Sequence, residues 1–269
     1  MANTDKPVQT ASAVAGGAVS GAASGVARVG SVASVGSVAS VGPVVSRTGS
    51  GPRNAVALLL VLGAVAYSAW LGEAFLGTGL SPVSSYVSEL AALDQPYGTL
   101  FRTTDLTAGL LVLAGAAGAL RWLPRRRGTV LGWAGIALYG AATVIDSRLP
   151  MSCAPTADAV CEASERAGLL PLAHAAHVVS SSVAVTGALA GMVALTLAAR
   201  WYGTLPSLVS PLCLLLVLLE LAATVWTLAA IAAFDAGYGT WALGMGQRLQ
   251  VLLIAAWVGL LASEVARRG

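Results

Sequence analysis

A chain of 269 residues that is 57% hydrophobic and only 10% charged, with a mean hydropathy of +0.79, is too apolar for a soluble domain, whose charged fraction is about 25%. The formal charge of +3 does not point to nucleic acid, since no basic patch interleaved with aromatics occurs and the longest basic run, Arg125 to Arg127, abuts an apolar stretch. Strand alternation is lacking, so a barrel is excluded and the expectation is an all-α polytopic bundle whose partner is the lipid bilayer.

Residues 1–50 are rich in Ala, Gly, Ser and Val, repeat VGSVAS in tandem and show no helical period; they read as a disordered tail preceding a transmembrane domain over 51–269. A cleaved targeting segment is the rival, but a charged start followed by a compact Leu-rich core is lacking. The first span is predicted over Asn54 to Gly72, behind Arg47 and Arg53. In the connector after it, Ser81 and Pro82 read as an N-cap and first turn, and Val83, Tyr86, Val87 and Leu90 fall at i, i+3, i+4 and i+7, with Ser84, Ser85, Ser88 and Glu89 on the other face. That pattern predicts a short amphipathic helix on the membrane surface, and it fits a lid packed on the bundle equally well.

The second span is predicted over Leu106 to Trp122, with Asp105 as its N-terminal cap; a catalytic role for Asp105 is the alternative. A short basic turn, Leu123 to Gly128, leads into the third span, Thr129 to Ile145, which ends at Asp146. The fourth span runs from Leu172 to Arg200, the fifth from about Ser207 to Phe234 after Pro206, and the sixth from about Gln247 to Ser263. Six spans put both termini on one side, and that side collects eleven of the 15 Lys and Arg residues against Arg102, Arg148, Arg166 and Arg248 opposite. The expectation is a multi-pass protein of the cell membrane with both termini cytoplasmic.

This orientation places Cys153 and Cys161 on the oxidising side. A disulfide there closes a small loop and stabilises it by roughly 2 to 3 kcal/mol. A thiolate metal site is the alternative, but the spacing matches no compact zinc motif. Cys213, inside the fifth span, reads as a small buried apolar residue.

His174 and His177 share a helix face at the start of the fourth span, Ser181 continues that face, and Asp146 ends the third span at the same height. Two imidazoles and a carboxylate at one depth could bind zinc or act as an acid–base pair, or could be structural hydrogen bonders. The expectation is a polar pocket containing Asp146, His174 and His177, with Asp105 and Arg248 at its rim. Glu220 lies close to the middle of the fifth span, too deep to join it. An acid at that depth is a candidate proton or substrate site, or a protonated hydrogen bonder facing the bundle interior.

The combination of Ser88-Glu89-Leu90, Pro96-Tyr97, Phe101-Arg102, Asp105, Gly109, Asp146, Pro150, Cys153, Cys161, His174 and His177 resembles a bacterial membrane-protein family known as the domain of unknown function numbered 998, over about Ala55 to Ala266. The resemblance implies a multi-span helical fold and supplies no activity. Three classes of function therefore stand: a binding or regulatory protein of the cell envelope, a metal-dependent membrane hydrolase acting on a lipid, and a small-solute or proton-coupled transporter. The hydrolase lacks a third firm metal ligand unless Asp146 or Asp105 provides it. For the transporter, Glu220 and Pro211 are the supporting features, while paired broken spans are missing.

Overall fold

Apolar runs of this length can cross lipid only if their backbone groups are bonded internally, and they form helices accordingly. The computed structural model describes residues 50–203 and 209–267, which fall within one unit, 47–269. Residues 1–49 of the expected tail, the expected start of the fifth span at Pro206 and Ser207, and Arg268 lie outside the described residues. In chain order the helices are α1 (Ser50–Tyr67), α2 (Gly98–Trp122), α3 (Arg127–Asp146), α4 (Ala159–Arg166), α5 (Leu172–Trp201), α6 (Val209–Asp235) and α7 (Leu243–Arg267). All but α4 are long and apolar enough to span a membrane, α1 being extended through a 3₁₀ helix, Ala69–Phe75.

The six spans pack as a ring in chain order, α1 on α2, α2 on α3, α3 on α5, α5 on α6, α6 on α7, and α7 back on α1. Lipid gives no hydrophobic drive between helices, so close packing depends on small residues. On α3 and α5 these are Gly135, Gly187 and Gly191, all at the helix–helix contact. The shared core includes Leu60, Val112, Ile136, Met192, Ile254 and Trp257.

One face of the bundle carries the Leu123-Pro124-Arg125-Arg126 turn together with the N-terminal end of α1 and the C-terminal ends of α5 and α7. The other face carries two long connections. In the first, Val83–Leu90 is helical only in its second half, a 3₁₀ helix over Val87–Ala91, and it lies on α2 and α7 as a lid. The lid is tied down on several sides. Gln247 Oε1 accepts from Val87 N–H at 2.8 Å, and the Arg102 guanidinium donates to the carbonyls of Ala91 at 2.6 Å and Ala92 at 3.2 Å. In the second connection Cys153 and Cys161 form the expected disulfide, their Cα atoms 6.0 Å apart. α4 begins inside that loop, capped by the Asp158 carboxylate accepting from Val160 N–H at 2.8 Å.

The two connections join through an acid that the helical pattern put on the polar face. Glu89 is fully buried, and Thr156 donates to it from its N–H at 2.8 Å and its hydroxyl at 2.5 Å. Burial pushes the Glu89 carboxyl above the ordinary glutamate range, against the lowering effect of those hydrogen bonds. The folded chain thus holds this proton more firmly than the unfolded one. That contribution to stability is fully present below the free-acid value of about 4.3 and is lost as pH rises through the folded value. Amide exchange over 87–91 should therefore speed up as pH rises from about 4, after correction for intrinsic rates, and Glu89→Gln should flatten the dependence. A slope that survives the substitution would assign it to another group.

Candidate functional site

Where α1, α2, α3, α5 and α7 end beneath the lid, they surround a cavity of about 120 Å³. Its polar lining includes Tyr67, Asp105, Asp146, Ser181, Gln247 and Gln250, and Val87 and Leu90 of the lid cover it. α2 begins at Gly98, so Asp105 sits in its third turn and is not the cap expected from the sequence. The polar stretch Arg102-Thr103-Thr104-Asp105 stays helical because its hydroxyls bond back along the helix: Thr103 donates to Thr99 O at 2.7 Å and Thr104 to Phe101 O at 2.8 Å. Asp105 therefore presents its carboxylate to the cavity, with no hydrogen-bond or ion-pair partner among the described residues.

Asp146, the last residue of α3, is by contrast engaged through one of its oxygens. Its Oδ1 accepts from the hydroxyls of Ser180 and Ser181, the latter at 2.9 Å, and lies 3.2 Å from His177 Nδ1. His177 Nδ1 is also 3.0 Å from the Leu149 carbonyl, which can only accept, so Nδ1 carries the proton. Its Nε2 stands 3.3 Å from Ser181 Oγ. The single Ser181 proton has two destinations. Pointed at Nε2, it leaves His177 neutral; pointed at Asp146, it requires Nε2 to donate and the imidazole to be cationic. The trio can thus take up or release one proton, exchanged with its surroundings, without breaking its network.

His174 does not join them. Its Nδ1 accepts from Ser152 N–H at 3.0 Å, which leaves Nε2–H to donate to Glu165 at 3.2 Å, so the ring fastens α5 to the disulfide loop. Arg248 is not at a pocket rim either. Both it and Glu73 are more than 90% buried, and its Nε and Nη2 bond the two Glu73 carboxylate oxygens at 2.5 and 2.6 Å. The third nitrogen, Nη1, donates to Ser85 O of the lid at 2.8 Å and Gly244 O at 3.1 Å. Glu220 is fully buried on α6 with neither carboxyl oxygen hydrogen-bonded, while Thr224 and Gln250 beside it bond each other at 2.8 Å.

Among the described residues no group of three or more His, Cys, Asp and Glu side chains is placed to hold a metal ion. Asp105 and Asp146 share the cavity, but both nitrogens of each histidine are already hydrogen-bonded, and a zinc ion would have to displace those contacts. Sequence reasoning missed Glu73, Gln247 and Gln250. The signal for Glu73 was Arg248 near the start of an apolar span, which needs a counter-charge, and the two glutamines are rare polar residues in the same helix.

No curated protein and no solved structure matches this chain. The family model described as "Protein of unknown function (DUF998)" matches residues 60–264, which takes in the second half of α1, the whole of α2, α3, α5 and α6, most of α7, the lid and the disulfide loop, and the chain belongs to that family.

Proposed function

We propose that this protein is a binding protein of the bacterial cell envelope that takes a small amine into the cavity beneath the lid. The observation that carries this reading is the Asp105 carboxylate, which lines the cavity without a hydrogen-bond or ion-pair partner among the described residues. A carboxylate in such a place favours a ligand that brings positive charge and hydrogen-bond donors. Asp146 adds a second acceptor on the same wall, and Tyr67 and Gln247 offer polar groups to the rest of the ligand. The lid then serves as the element through which occupancy is reported, because Gln247 is bonded to it and also lines the cavity.

A charge-assisted hydrogen bond is worth about 1.5 to 3 kcal/mol, so Asp105→Asn should weaken amine binding roughly 10- to 150-fold. Calorimetric titration of purified protein with ethanolamine, putrescine and agmatine reads this directly. If none of them binds the native chain, or if Asp105→Asn binds equally well, the reading fails. A transporter would bind the same amines and also carry them across a sealed vesicle, with Glu220 on the route; the binding protein retains them on one side.

The orientation we propose puts the lid and disulfide loop outside the cytoplasm and both termini inside, in line with the arginine asymmetry and with a disulfide on that face. A C-terminal reporter should accordingly be active only as a cytoplasmic fusion, and activity confined to the outside would reverse the topology.

A further inference from the structure

The opposite face of the bundle holds a second cavity, of about 250 Å³, enclosed by the ends of α1, α2, α3, α5 and α7. Its walls are mostly apolar, with Leu123, Trp133, Leu195, Leu261 and Val265 prominent, whereas its polar lining includes Arg53 and Arg126. The Glu264 carboxylate on that lining is already paired, with Arg267 at 2.9 Å.

The three consecutive arginines of the turn are not equivalent. Arg125 folds back, its Nε donating to Leu120 O at 2.8 Å near the end of α2. Arg126 is held differently: its guanidinium lies 4.3 Å over the ring of Tyr202, a cation–π contact that positions the group, and the guanidinium N–H groups have no hydrogen-bond partner among the described residues. Arg126 is also the residue before α3, where the free N–H groups of the first turn add positive potential. A preset guanidinium beside an apolar cavity at the end of a membrane bundle has the two halves of one ligand's chemistry, a phosphate and a hydrocarbon chain.

We propose that this cavity binds an anionic phospholipid from the leaflet on that side, its phosphate on Arg126 and its glycerol and upper chain against Trp133 and Leu195. The proposal is independent of the amine site and rests on the arrangement of Arg126, Tyr202 and the cavity walls. Charge complementarity selects an anionic headgroup over a zwitterionic one, and the apolar walls select a lipid over free phosphate.

The test is thermal unfolding of the full chain in a nonionic detergent, with dioleoylphosphatidylglycerol, dioleoylphosphatidylcholine or inorganic phosphate added. Phosphatidylglycerol should raise the midpoint by several degrees and the other two should not. Arg126→Gln should weaken the apparent affinity at least tenfold, while Arg127→Gln, which removes the same charge outside this cavity, should leave it within about twofold. Brominated phosphatidylglycerol should quench a fluorescence component that Trp133→Phe removes, a readout that holds even if Arg126→Gln folds poorly. Equal stabilisation by phosphatidylcholine, an equal loss in both arginine variants, or no Trp133 component in the quenching would overturn the proposal. Stabilisation by inorganic phosphate alone would overturn the lipid assignment and leave a phosphate site.

Discussion

Replacing Glu73 by alanine should lower the thermal midpoint of the detergent-solubilised protein by roughly 6 to 20 °C. Removing one partner of a buried pair costs about 3 to 5 kcal/mol, and a chain of this size loses about 2 to 4 °C per kcal/mol. Glu73 and Arg248 are both buried and meet through two parallel hydrogen bonds, so the substitution strands a guanidinium among apolar helices with only Ser85 O and Gly244 O left to it. The same change should loosen the lid. Arg248 holds the lid carbonyl of Ser85, and a guanidinium that has lost its carboxylate will seek water, so amides over 82–97 should exchange faster. Removing both charges, as in Glu73→Leu with Arg248→Met, should recover much of the midpoint, because the cost lies in the unpaired charge and not in the absence of the pair. A Glu73→Ala midpoint within about 2 °C of native would show that water reaches the pair and that its burial contributes little.

The spans were legible because hydrophobic run length is a local signal, whereas the site depends on partners far apart in the chain. Asp105 was read as a cap because the apolar run starts at Leu106. The helix in fact starts at Gly98, since threonine hydroxyls bonded back to the backbone let polar residues continue it. Glu89 was placed off the apolar face by helical spacing, but the segment is a 3₁₀ turn and its partner, Thr156, is 67 residues away. The histidine spacing placed His174 and His177 on one face, as observed, yet their rings serve different walls. α5 starts under the disulfide loop, so His174 meets Ser152 and Glu165 while His177, one turn deeper, meets Leu149, Asp146 and Ser181. The disulfide could be read from two cysteines alone. The pairing of Glu73 with Arg248 required knowing that α7 packs on α1.

Gly135→Ala should destabilise the protein although alanine is the better helix former. A Cβ at position 135 would stand 2.6 Å from Gly191 N and 2.9 Å from Gly187 O, backbone atoms that cannot rotate aside. The α3–α5 contact must then open, and overpacking of this kind costs about 1 to 3 kcal/mol, a range that lies mostly above the roughly 1 kcal/mol that alanine contributes through helix propensity. Gly259 in α7 is the matched control. A Cβ there meets nothing within 4 Å, so Gly259→Ala should leave the midpoint unchanged or raise it. The two substitutions add the same methyl group to two spans of one bundle, and opposite signs would isolate the helix contact as the cause. Function should follow the same contact, because α3 carries Asp146 and α5 carries His177, Ser180 and Ser181. Separating these helices by a few tenths of an ångström lengthens every bond to Asp146 at once, so Gly135→Ala should weaken amine binding as well as stability. Equal midpoints for the two alanine variants would mean that α5 slides along α3 to accept the methyl group, and that the glycines are not what sets the spacing of the site.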